Sequence, residues 1–181
     1  AGGSKTATSA ARRVALAPVK GCPAATGRMT GTTIGQVALG MTRARARYVY
    51  RHHSNRGQAY MDFFCLTPIG VRVGYASPKL LATLSRRRRA AFKDRVVWAS
   101  TSDPYYSLDG VRPGESITVA DQALHVQAPV RIGANLWYLA REHGFTAVLK
   151  VRAGIVQELG IADAALTATR HSQSVLMHSF E

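Results

Sequence analysis

A chain of 181 residues, 46% of them hydrophobic, is long and apolar enough for one folded domain or two small fused units, which excludes a disordered or low-complexity chain. Its 24 lysines and arginines against 10 acids give a formal charge of +14, so a free acidic ligand or surface is the natural counterpart. No apolar run approaches the ~18 residues of a membrane-spanning helix.

Residues 1–33 read as an N-terminal arm, small and polar at the start. The short apolar stretch 14–19 is no signal-peptide core, so the expectation is a leader already removed or outside this sequence. Cys22 precedes Pro23 in coil-like surroundings.

Residues 34–107 form a first unit. Val37-Ala38-Leu39-Gly40-Met41-Thr42 places a turn at Gly40 and a helix N-cap at Thr42. On the helix that follows, Arg43, Arg47 and Arg51 are spaced i, i+4, i+8 and share one face, where like charges are mildly destabilising. That stripe hints at an anionic partner. His52-His53 is expected to end the helix, where positive charge suits the dipole. Phe63-Phe64-Cys65-Leu66 reads as an aromatic strand and residues 71–75 as a β-branched one.

Cys22 and Cys65 are an even pair without C-x-x-C spacing, which speaks against zinc or a redox motif. A disulfide tying the arm to the strand, two buried thiols and a reactive thiol all remain open from spacing alone. A disulfide would stabilise by roughly 4 kcal/mol and argue for export.

Residues 76–94 are a basic insertion before the next strand, 95–99. It carries Pro78-Lys79-Leu80-Leu81 and then Arg86, Arg87, Arg88 and Arg89. Loops longer than their structural need often carry function, and four adjacent arginines stay hydrated unless an anion joins them. The competing reading is a solvated helical turn. Residues 1–100 hold 18 basic and 2 acidic residues, Asp62 and Asp94, whereas residues 101–181 hold 6 and 8.

Residues 108–181 repeat the first unit. A shift of 74 carries the Val37 motif onto Val111-Arg112-Pro113-Gly114-Glu115-Ser116, the shared pattern being Val-x-x-Gly-x-[Thr/Ser]. It also carries Phe63-Phe64-Cys65 onto Trp137-Tyr138-Leu139, and residues 71–75 match 147–151, two positions further along. Residues 148–151 and 155–159 face each other across Arg152-Ala153-Gly154 as a hairpin with a three-residue loop. Residues 161–180 have helical spacing and should close over the sheet. The fold class expected is α+β: two tandem helix-plus-antiparallel-sheet repeats with a C-terminal closing helix.

Catalytic chemistry is not visible. There is no Gly-x-Ser-x-Gly, His-Glu-x-x-His or phosphate-cradling loop. His171 and His178 share a face, yet no third metal ligand is placed with them. Neither metal nor cofactor is expected.

The Val37-to-Thr42 motif followed by an Ala- and Arg-rich helix resembles the entry of the fold shared by the β-lactamase inhibitor protein and the small lipoproteins of outer-membrane protein assembly. The resemblance covers residues 34–160 and implies a protein-binding or scaffold role without cofactor. Residues 65–75 and Gly160-Ile161-Ala162-Asp163 are similar to uncharacterised exported proteins of Gram-positive, high-GC actinobacteria.

The function expected is therefore a non-catalytic secreted interaction module. Its basic first half, through Arg43, Arg47, Arg51, Arg86, Arg87, Arg88 and Arg89, would meet an anionic protein or envelope polymer. Nucleic acid follows from charge alone and is less favoured. An envelope hydrolase would have to use His125 or His143 with Asp62 or Asp121.

Overall fold

In the computed structural model, which describes residues 20–51, 53–54, 58–65 and 70–181, the β-branched and aromatic runs pair into antiparallel sheet. In chain order a small ribbon comes first, β1 (Thr33–Ile34) with β2 (Val37–Ala38). Then follow α1 (Arg43–Val49), β3 (His53–Ser54), β4 (Met61–Phe64), β5 (Val71–Tyr75), α2 (Pro78–Ala82), α3 (Arg86–Phe92) and β6 (Val96–Thr101). The second copy runs α4 (Ile117–Leu124), β7 (Val130–Ile132), β8 (Asn135–Arg141), β9 (Phe145–Arg152) and β10 (Ile155–Asp163). A 3-10 turn (Ala164–Thr167) and α5 (Arg170–His178) close the chain. The first part of the arm, His52 and residues 66–69 lie outside the described residues.

The main sheet is ordered β3-β4-β5-β6-β10-β9-β8-β7, so the two copies are laid side by side about the β6–β10 seam. There Leu159 pairs with Thr101 and Ile161 with Ala99. The duplication is visible bond by bond. Thr42 accepts from the Arg45 amide to cap α1, and Ser116 accepts from the Val119 amide to cap α4. The Gly40 amide donates to the Val96 carbonyl and the Val96 amide to that of Met41; Gly114, Val156 and Glu115 repeat the arrangement. Thr42 bridges Arg95 as Ser116 bridges Ile155. The α+β class and the tandem repeat thus stand.

Period-two alternation divides the strands between two cores. One face packs Phe64, Val73, Leu149 and Ile161 against the ribbon, Ala46 and Tyr50 of the first copy, and Ala120 and Leu124 of α4. The other packs Trp98, Trp137 and Leu139 against Leu80 of α2, Leu176 of α5 and Phe180. With both faces covered, every residue of β6 is buried. The insertion is therefore partly structural: its first helix helps α5 roof the second face.

Four local expectations change. Strand β6 runs Val96–Thr101 rather than 95–99, because the seam recruits Ser100 and Thr101. Residues 161–163 continue β10 instead of starting a helix, held by the same pairing, and the α-helix begins only at Arg170 with a Thr169–Ser172 capping box. His53 starts β3, since α1 already ends at Val49. The hairpin turn is two residues long: Ile155 pairs with Arg152, leaving Ala153 (φ 50°) and Gly154 (φ 75°), both left-handed as a type I′ turn requires.

Candidate functional site

Asp62 and Asp94 carry all the negative charge of the first hundred residues, so the basic surface is best understood from them. Asp62 points from β4 into the core side of α1 and is fully buried. Arg43 donates Nε to its Oδ2 (3.3 Å) and Nη2 to its Oδ1 (3.0 Å). Arg47 does the same at 2.9 Å for both bonds, and the Tyr75 hydroxyl adds a bond to Oδ2 at 2.9 Å. Arg43 also lies over the Tyr75 ring, 4.5 Å from its centroid. Burial alone would raise the Asp62 carboxyl, but hydrogen bonds from Arg47, Arg43 and Tyr75 outweigh it and hold the group at about 2. The phenol of Tyr75 is pushed up, by burial first and by the neighbouring carboxylate second.

Two of the three stripe arginines are thus clamped on one carboxylate, and only Arg51 of that set is exposed, 5.9 Å from the exposed Tyr48 ring. Arg45 approaches the same ring at 5.2 Å. The i, i+4 spacing of Arg43 and Arg47 is what lets both forks reach one acid. The hub was missed at the sequence level, although a lone acid within Met61-Asp62-Phe63-Phe64 was the available signal.

Arg86, Arg87, Arg88 and Arg89 form the first turn of α3 and are all exposed. The helix has no fully buried residue, no acid in its first turn and no side-chain cap bond from Ser85. Cations at a helix N-terminus oppose the dipole. Of the four side chains, only that of Arg89 has a hydrogen-bond partner among the described residues, its Nε donating to the Leu84 carbonyl at 3.1 Å. The end of this helix adjoins the start of α1: the Arg43 amide donates to the Asp94 carbonyl and Arg95 Nη1 to that of Gly40 (2.8 Å). Residues 94 and 95, just past this helix, are therefore neighbours of the start of α1.

Cys22 and Cys65 form a disulfide, Cα atoms 5.9 Å apart, which docks the second half of the arm beside β4. His125 caps α4 in a left-handed conformation, and Asp121 accepts from the Val126 amide. The His125 amide donates to the Asp121 carbonyl as the helix cap, but no side-chain hydrogen bond or ion pair joins His125 or His143 to Asp62 or Asp121 among the described residues, and His178 Nδ1 lies 2.8 Å from the Ser174 carbonyl. No three His, Cys, Asp or Glu side chains converge among the described residues, and no described helix is long and apolar enough to cross a membrane.

No family model matches the chain, and no curated protein matches it by sequence. Among solved structures it overlaps a DUF4309 family protein (YjgB) from Bacillus subtilis at 9% identity and a TM-score of 0.47, over 67% of this chain and 78% of that one. It also overlaps an extracellular protein containing a SCP domain from Bacillus anthracis at 10% identity and a TM-score of 0.41, over 70% of this chain and 44% of that one. Neither is a β-lactamase inhibitor protein or an outer-membrane-assembly lipoprotein.

Proposed function

We propose that the protein is a non-catalytic, exported binding module whose first repeat meets an anionic protein or envelope polymer. The arm 1–33 and the units 34–107 and 108–181 are the proposed bounds of its parts. The observation that carries this reading is the removal of Asp62 from the surface. With that carboxylate buried on Arg43 and Arg47, Asp94 is the one acid left exposed in the first hundred residues. The exposed Arg86, Arg87, Arg88 and Arg89, together with Lys93, Arg95, Arg45 and Arg51, then face solvent almost uncompensated. Such a field raises the association rate of anionic partners and favours their bound state. The Cys22–Cys65 disulfide supports an oxidising, extracytoplasmic location. The tandem repeat supports the protein-covering role that the inhibitor resemblance implies.

Cosedimentation with anionic cell-wall fragments tests the proposal, comparing the parent with a variant in which residues 86–89 are serine. The parent should bind at about 50 mM salt and release steeply by about 200 mM, with the variant at least roughly tenfold weaker. Equal binding by the two proteins would return these arginines to a solubilising role.

A further inference from the structure

The two copies share a backbone where their side chains are most unlike. In the first copy the ladder pair Tyr75–Val96 is followed, across a bulge at Val97, by Gly74–Trp98. In the second, Val151–Val156 is followed, across a bulge at Gln157, by Lys150–Glu158. Trp98 lies where a Cβ on Gly74 would be, and Val97 and Ala76 are buried in the same cluster as Leu80 of α2. The matching place in the second copy has no such roof, because β9 and β10 are joined by only Ala153 and Gly154. It holds Lys150, Glu158, Gln157 and Arg152 where the first copy holds Gly74, Trp98, Val97 and Ala76. The fold accepts an apolar core at this position, so the polar set is not a demand of the fold.

The result is an open depression of about 230 Å³ lined by Ser102, Asn135, Lys150, Arg152, Gln157 and Glu158. Glu158 is its fixed floor, 16% exposed. Its Oε2 accepts from Arg72 Nε (2.9 Å) and Ser100 Oγ (3.1 Å), and its Oε1 from Lys150 Nζ (3.3 Å). Arg152 gives only Nε, to Asn135 Oδ1 at 3.1 Å, so both of its Nη groups are unengaged among the described residues. Exposed Ser102 and Gln157 stand at the rim, and a bulge is a common device for re-aiming a side chain beside a site. A surface that is merely solvated does not need a carboxylate anchored on both oxygens by three residues.

We propose that this depression binds a small hydroxylated carboxylate, about the size of one acidic sugar residue. Arg72 and Lys150 are both paired with Glu158, so Arg152 is the cation left to meet a singly charged ligand. The free Nη pair of Arg152 suits a carboxylate bidentately. Glu158, Gln157, Asn135 and Ser102 offer acceptors and donors for ring hydroxyls. The volume is below the ~300–1,000 Å³ of sites for drug-sized molecules, and no apolar side chain lines it, so an aliphatic or aromatic ligand has nothing to bury against. The site is built mainly on the second copy, with Ser102, Ser100 and Arg72 contributed across the seam.

The test is a titration of the full, isotope-labelled chain with D-glucuronate, following the backbone amides of Lys150, Arg152 and Gln157 by NMR. D-glucose, acetate and glucose 6-phosphate at matched ionic strength are the comparisons. Saturable shifts confined to these amides are expected with glucuronate, each comparison binding at least about tenfold more weakly. Arg152→Ala and Gln157→Ala, both at exposed positions, should keep the parent spectrum elsewhere and weaken glucuronate at least about tenfold. Absence of saturable shifts up to about 20 mM glucuronate overturns the site. Equal affinity for acetate, glucose or the phosphate, or an unchanged Arg152→Ala, overturns the assigned ligand class.

Discussion

Removing a carboxylate from water costs several kcal/mol unless charged groups and hydrogen bonds replace the solvent. At Asp62 two guanidinium forks and one phenol do so. Removing the acid leaves Arg43 and Arg47 facing each other without their counter-ion, so Asp62→Asn should destabilise the protein by about 2–4 kcal/mol at neutral pH in urea unfolding. The pH dependence has a definite sign. The folded carboxyl sits at about 2, below its ordinary 3.8, so its contribution is present above pH ~4 and is lost as pH falls through the folded value. That contribution is about 2 kcal/mol. The urea midpoint of the parent should fall between pH 4 and pH 2 more steeply than that of Asp62→Asn. Parallel curves would show that the clamp contributes no proton-linked stability. On the opposite face, Gly74 is required by contact: a Cβ there collides with the Trp98 indole. Gly74→Ala should therefore cost about 1–3 kcal/mol, with Trp98 fluorescence reporting the displacement.

Among the elements, the insertion combines a helix the fold needs with one it does not. Leu80 of α2 is fully buried, whereas α3 has no buried residue and opposes its own dipole with four cations. Changing residues 86–89 to serine should leave the melting free energy within about 0.5 kcal/mol of the parent; a larger loss would make α3 a structural element and weaken its role as a recognition surface. The disulfide acts oppositely. It closes a separation of 43 residues, and its reduction should cost roughly 4 kcal/mol in urea unfolding with and without reductant. The caps at Thr42 and Ser116, the turn glycine and the repeat itself were legible, because each depends on residues close in sequence. The partners of Arg43 and Arg47 were not, since which acid meets them is set by the register of β4 and β5. The same applies to the aromatic strand. Spacing matched Phe63-Phe64-Cys65 to Trp137-Tyr138-Leu139, but the bulges and ladder pairs equate Asp62, opposite Val73, with Tyr138, opposite Leu149. Likewise, nothing local distinguished residues 161–163 as strand, because their partners Ala99 and Trp98 lie some sixty residues earlier.

At the scale of the molecule, the repeats are joined too closely to unfold apart. Strands β6 and β10 pair across the seam, so each copy completes the other's sheet. Trp98 of the first copy and Trp137 of the second both pack on Phe180, at 3.9 and 5.2 Å between ring centroids. Arg72 of the first copy reaches Glu158 of the second at 2.7 Å and also donates to the Phe180 carbonyl. Parting the copies would expose Leu159, Ile161 and Ala99 along an unpaired strand edge and open both cores at once. A unit of this size alone buries only about 60% of its unfolded surface, too little to offset chain entropy comfortably. Unfolding should therefore be a single transition. The two tryptophans supply one reporter per copy. Trp98→Phe leaves Trp137 to report the second copy, and Trp137→Phe leaves Trp98 to report the first. Within each variant, the urea midpoint by fluorescence should coincide with that by far-ultraviolet circular dichroism, and neither trace should show a plateau. If the remaining tryptophan in either variant changes at a lower midpoint than the circular dichroism, the copies melt in sequence. The seam would then be a contact between two folded units instead of the centre of one sheet.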